Sequence, residues 1–248
     1  MFEVLFVVVG IGLVAGGCWK LRPAYHVYRG DTDDVVAIER AEGPVELEGT
    51  ADRIDATATA PLTGSECLVY EYEVEEYQSS GKNSSWNTVD RGGGGVPFRL
   101  EDETASVRVD PAGADLALAS EDTIRVDGGE PEPEPIREFL ATESDLESEN
   151  TSLDLKIVEI ATGNDRKYHE RRLESGEEAY VFGQSRYDVD ARERMRDVSA
   201  VIEDGPGAPA FVVADASQEV AARRLAKPGL MWIALGLFSA TIATIATL

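Results

Sequence analysis

Two apolar runs bracket the chain. FEVLFVVVGIGLVAGGCW (2–19) carries one charge, Glu3, and GLMWIALGLFSATIATIATL (229–248) carries none. Runs of this length suffice to cross a hydrocarbon core of about 30 Å, so the pattern predicts transmembrane helices at 1–19 and 229–248. Between them it changes to short alternating segments, the period of half-buried strands. The clearest is LVYEYEVEEY, with Leu68, Tyr70, Tyr72 and Val74 on one face and Glu71, Glu73 and Glu75 on the other. GPVELEGTADR (43–53), LKIVEIA, EEAYVFGQ, VSAVIED and AFVVADA read as further strands. PFRLED, ASVRVDP, ADLALAS and TIRVD read as an antiparallel meander turned at Pro111, Gly113 and Asp115. Residues 136–147 and the amphipathic stretch Ser217–Lys227, ended by Pro228, read as helices. Ser79–Ser85 and Gly92–Gly95 have the composition of loops, and GGEPEPEP (128–135) that of an extended acidic linker. The predicted fold class is a membrane protein whose mainly β (α+β) extramembrane domain, 43–228, follows a juxtamembrane segment, 20–42, and lies between two transmembrane helices.

Charge adds an orientation and removes a class of partner. Lys20, Arg22 and Arg29 follow the first run, and Arg223, Arg224 and Lys227 precede the second, so the positive-inside rule places 20–228 in the cytoplasm of a two-pass cell-membrane protein. The 248 residues hold 47 acidic and 23 basic side chains, a net charge of -24. A nucleic acid would be repelled by such a surface. Of the basic residues 18 are Arg and 5 are Lys, a skew that together with the acidity reads as adaptation to high salt.

Candidate chemistry is sparse. Two Cys and two His, lacking any C-x-x-C or H-x3-H spacing, predict neither a zinc site nor a disulfide framework. There is no G-x-S-x-G, and the tetraglycine lacks the residues that turn a glycine loop into a phosphate cradle. No catalytic residue, metal or cofactor is predicted, and a small-molecule ligand stays unspecified. The one patch that stands out is cationic: Arg166, Lys167, Arg171 and Arg172 within seven residues of an acidic chain. It reads either as a docking point for a partner or as a cross-strand ion-pair ladder with Glu170, Glu174, Glu177 and Glu178.

Several segments in order, GPVELEGTA (43–51), APLTGSECLVYEYEVEEY (60–77), PFRLEDETASVRVDPAGADL (97–116), YHERRLESGEEAYVFGQ (168–184) and FVVADASQEV (211–220), resemble the GIDE, or beside-a-membrane, domain of the mitochondrial-anchored ubiquitin and SUMO ligases and their prokaryotic relatives. The resemblance implies a membrane-tethered domain that engages other membrane proteins or their substrates. In that family, ligase activity belongs to a zinc-binding RING after the second span. With four Cys and His in all, this chain is expected to lack the RING and to serve as a non-enzymatic scaffold at the bilayer. The alternatives are a RING-less ligase subunit completed by a partner and a hydrolase with an unfamiliar carboxylate site.

The acidity carries a stability prediction. Dilution from molar salt to about 0.1 M lengthens the screening distance from roughly 3 to 10 Å. The melting temperature, followed by circular dichroism, should fall across that dilution, whereas a protein without salt adaptation would hold it.

Overall fold

The computed structural model describes residues 2–80, 83–119, 121–142, 151–155, 158–191 and 195–245. In chain order the elements are helices α1 (Phe2–Lys20) and α2 (Arg22–Arg29), a 3-10 turn (Val35–Ile38), then strands β1 (Gly43–Arg53), β2 (Ala58–Thr59), β3 (Glu66–Cys67), β4 (Val69–Ser80), β5 (Asn83–Gly95), β6 (Phe98–Glu101), β7 (Ser106–Val109), β8 (Asp115–Leu116) and β9 (Glu121–Val126). Helix α3 (Glu134–Thr142) precedes the hairpin β10 (Thr151–Leu155) and β11 (Val158–Thr162), followed by β12 (Arg166–Leu173), β13 (Glu177–Tyr187), β14 (Asp197–Glu203), β15 (Val212–Ala214) and α4 (Gln218–Ile245).

Five strands close a barrel in the order β1-β6-β7-β14-β13 and back to β1. Every pair is antiparallel except β7 with β14. Numbered within the barrel, this is 1-2-3-5-4-1, the connectivity of the five-stranded OB barrel. Alternation along the strands fills the interior: Val45 and Leu47, Phe98 and Leu100, Val107 and Val109, Ala179 and Val181, and Val198, Ala200 and Ile202 form one buried cluster, joined by Val35 and Ile38 of the 3-10 turn. The intervening residues of β13, Tyr180 and Phe182, face outward yet are buried, because Val27 of α2 and Ala221 and Ala222 of α4 cover them. Strand β15, with β8 beside it, continues the sheet from β13.

The chain between β1 and β6, and again between β8 and β13, leaves the barrel to build a second, antiparallel sheet, β5-β4-β12-β9. Its inner face packs on α3 through Val74, Val126 and Tyr168 against Ile136, Phe139 and Leu140. Strands on either side of the acidic 128–135 segment thus share this sheet. The predicted meander is replaced by other pairings: only β6 and β7 are neighbours, β8 runs parallel to β15, and β9 joins β12. The predicted helix at 136–147 is α3, and residues 143–147 fall outside the described residues.

The tetraglycine is a strand rather than a loop. Gly92 and Gly94 lie opposite Tyr72 and Tyr70 of β4. A β-carbon on Gly92 would sit 2.7 Å from the Tyr72 hydroxyl, and one on Gly94 2.8 Å from the Tyr70 hydroxyl. The tyrosine rings occupy the space that side chains of β5 would otherwise fill, so cross-strand packing compensates for poor strand propensity.

The two-span prediction is overturned. Among the described residues no helix is long and apolar enough to cross a membrane. The first ten residues of α4 include Glu219, Arg223, Arg224 and Lys227, and the helix runs on through Pro228 instead of ending there. The cytoplasmic, two-pass placement relied on both spans and loses its basis with them. Helices α1 and α4 instead pack antiparallel on each other along glycines. A β-carbon on Gly17 would meet the Ile233 side chain at 2.6 Å and the Gly229 carbonyl at 2.8 Å, and one on Gly236 would meet the Gly10 carbonyl at 2.7 Å.

The tyrosine–glycine packing is open to test. Gly92→Val should destabilise the protein by about 1–3 kcal/mol in urea unfolding, the usual cost of overpacking. Combined with Tyr72→Ala it should cost less than the sum of the two single changes. Additive effects would show that the ring does not take the place of the missing side chain.

Candidate functional site

The four cations singled out in the sequence all lie on β12, whose alternation sends them to two faces. Arg166 is buried and pairs with Glu76 of β4 at 3.0 Å. Arg172 meets Asp122 at 2.8 Å, Glu170 at 3.0 Å and Glu174 at 3.4 Å. On the outer face, Arg171 bridges Glu71 of β4 at 3.0 Å and Glu121 of β9 at 2.5 Å. Lys167 places its ammonium 4.1 Å from the centre of the Trp86 ring, which Arg125 also approaches at 5.7 Å. The structure therefore brings these cations together with carboxylates of β4, β9 and β12. Glu170 and Glu174 belong to this network, joined by Glu71, Glu76, Glu121 and Asp122, which only strand pairing brings near.

His169 completes the outer ladder, with Nε2 3.2 Å from Glu75 and Nδ1 3.1 Å from Glu121 and 3.0 Å from the Thr123 hydroxyl. The ladder's two arginine-bound carboxylates shift in opposite directions. Burial raises the Glu71 pKa, outweighing Arg171. Burial also pushes Glu121 up, but Arg171, His169 and Thr123 together pull it below the ordinary range. Exposed pairs of this kind contribute roughly 0–1 kcal/mol each, so their main effect is to fix strand register.

Glu170 does different work. It is 1% exposed, and its carboxylate accepts the Leu62 amide at 2.6 Å, the Thr63 amide at 3.3 Å, the Thr63 hydroxyl at 2.5 Å and Arg172 at 3.0 Å. The PLTG turn, with Gly64 at φ +74°, is thus pinned to β12 by one buried anion. Cys67, nearby, is pushed up to about 11 by burial and by Glu170, which makes it an unreactive thiol.

A second node joins the helices to the barrel. The Gln218 amide at the start of α4 donates to the carbonyls of Val27 and Gly30, both at 2.7 Å, and to Glu46 of β1 at 3.1 Å. Tyr180 donates to the same Glu46 oxygen at 3.1 Å. Burial raises the Glu46 pKa against these two hydrogen bonds, with Asp33 and Asp31 adding to the rise.

Among the clefts on the surface of the described residues, two adjoin these nodes. One, about 690 Å³, is lined by Glu48, Asp52, Glu101, Asp102, Glu103 and Glu178. Asp102 there is pushed up by burial but held below the usual range by the amides of Val35, Thr104 and Ala105 and the Thr104 hydroxyl. The described residues contain no group of three or more His, Cys, Asp or Glu placed to hold a metal ion. The other cleft, about 1090 Å³, lies between the outer face of the second sheet and the bases of α1, α2 and α4, and Arg171 reaches it. Its cations Lys20, Arg22 and Arg91 are spread over the chain, and only their sign on an acidic molecule could have marked them in the sequence.

Fold and site define a β-barrel protein with an inserted, charge-laddered sheet and a docked helix pair. The family profile described as GIDE, E3 Ubiquitin ligase, matches residues 69–247, and the chain belongs to that family. No curated protein and no solved structure matches it.

Two measurements test these nodes. Glu170→Ala leaves buried amides and Arg172 short of an acceptor and should cost about 3–5 kcal/mol, with hydrogen exchange fastest at Leu62 and Thr63; slow exchange there would remove Glu170 as the pin. Because the folded pKa of Glu46 is raised, its protonated form is favoured by folding. Its contribution is whole below the unfolded value near 4.5 and is lost as pH rises through the higher folded value. Glu46→Gln, which keeps an acceptor for Tyr180, should therefore gain stability on the wild type as pH rises from 4 to 8; a constant difference would refute the assignment.

Proposed function

We propose that the chain is a non-catalytic partner-binding member of this ubiquitin-ligase-related family, holding other proteins, membrane proteins among them, against the apolar surface of the α1–α4 pair. One observation carries the reading. The glycine seam presses the two backbones together and turns their large side chains outward, leaving Ile11 64%, Trp19 67%, Leu237 58% and Phe238 65% exposed. Contiguous exposed apolar area of this kind marks interaction surfaces, and each Å² covered contributes about 25 cal/mol. Trp19 and Phe238, toward opposite ends of the pair, are exposed aromatics of the type that anchors interfaces. The barrel supplies a rigid mount, because α4 begins at the Gln218 node and rests on Tyr180 and Phe182.

A photo-crosslinking residue at position 237 in native membranes and lysate should capture partner proteins. The double change Leu235→Asp and Phe238→Asp should reduce their recovery at least ten-fold while the barrel's melting transition is unchanged. Full recovery by the folded variant would overturn the docking surface. Transfer of a ubiquitin-like modifier by the purified chain alone would overturn the non-catalytic part.

A further inference from the structure

The 1090 Å³ cleft borders the apolar helix surface at Trp19 and has a different chemistry. Its floor is the outer face of the second sheet at Gly92 and Gly93, with Glu71, Glu73 and Arg171. One wall is the α1–α2 junction with Leu225 and Pro228 of α4, and the other is β8 with Pro209 and Ala210. Cations stand on both sides: Lys20 and Arg22 on the helical wall, Arg91 on the sheet. All three are exposed, and none of them has a carboxylate partner among the described residues. Lys20 rests only near the Trp232 ring, at 5.7 Å. Of the cleft's carboxylates, Glu71 is held by Arg171 and Glu73 accepts the Thr88 hydroxyl at 2.6 Å, while exposed Asp115 stands on the β8 wall.

In a molecule of net charge -24, three unpaired cations facing one cleft from two walls are a departure from the rest of the surface. The volume, about 1090 Å³, lies at the upper end of the roughly 300–1,000 Å³ of small-molecule pockets. We infer that this cleft docks an extended acidic segment of a partner protein, whose carboxylates reach Lys20 and Arg22 on one side and Arg91 on the other. Charge complementarity of this kind sets partner choice and encounter rate more than affinity, so binding weakens as salt rises. The inference does not rest on the helix-pair surface.

The test uses the full chain and a fluorescein-labelled twelve-residue peptide of Asp, Glu, Ser and Leu, read by anisotropy at about 0.15 M salt. Saturable binding is expected, lowered at least ten-fold by the triple change Lys20→Glu, Arg22→Glu, Arg91→Glu and left intact by Leu235→Asp with Phe238→Asp. Arg91 lies opposite Glu73, where a Glu would add a like-charge pair, so the triple variant is used only if it melts at the wild-type temperature. If it does not, the single change Arg91→Gln is used, with a two- to five-fold loss expected. No binding by the wild type, equal binding of a Lys/Ser/Leu peptide, undiminished binding by the folded variant, or displacement by millimolar inorganic phosphate or by phosphatidylglycerol vesicles would each overturn the proposal.

Discussion

Strand β13 has no idle surface. Ala179 and Val181 point into the barrel, Tyr180 and Phe182 point under the helices, one edge carries β1 and the other is shared by β14 and β15. Because side chains alternate with a period of two, a slip of one residue would exchange the two sets. Tyr180 would then carry its hydroxyl into an apolar interior, away from Glu46, and leaving such a group unpaired costs on the order of 1–3 kcal/mol. The register of β13 thus fixes the barrel and the seat of the helix pair together.

The charges follow a similar division. Deep pairs, Arg99 with Asp197 at 3.2 Å in the barrel and Arg166 with Glu76 in the second sheet, replace water that burial removed. They gain little over apolar packing but make the wrong arrangement expensive. Outer pairs on β12 are cheaper to break and hold four strands in step. The unpaired cations around the large cleft belong to the part of the charge pattern that the fold itself does not use.

The proposed binding role follows the way the elements are arranged. The helix pair gives its small residues to its own seam and its large ones to the outside, and the inserted sheet gives one face to α3 and the other to a charged surface beside a cleft. Both outward surfaces meet at the base of α1, where Trp19 and Lys20 follow each other.

Most strands were legible because half-burial writes itself into local alternation, as in Tyr70 to Glu75, and the runs of β13 and β14 in their unbroken apolar character. The resemblance to the GIDE domain was legible too, in motifs that the structure joins: PLTG is held by the glutamate of YHERR. Other features depended on partners distant in the chain. Gly92–Gly95 has a loop's composition and becomes a strand because Tyr70 and Tyr72 lie across from it. The cations of β12 formed a visible cluster, but Glu76, Glu121 and Asp122 come to them only through strand pairing, and Lys20, Arg22 and Arg91 meet only across the cleft. Hydropathy recorded that the terminal runs are apolar and could not record what they touch; Gly17, Gly229 and Gly236 pack α1 on α4. Periodicity is a property of neighbouring residues and is set by the sequence alone, whereas the choice of partner is set by shape and charge between residues from some twenty to some two hundred positions apart, which only the folded chain brings together.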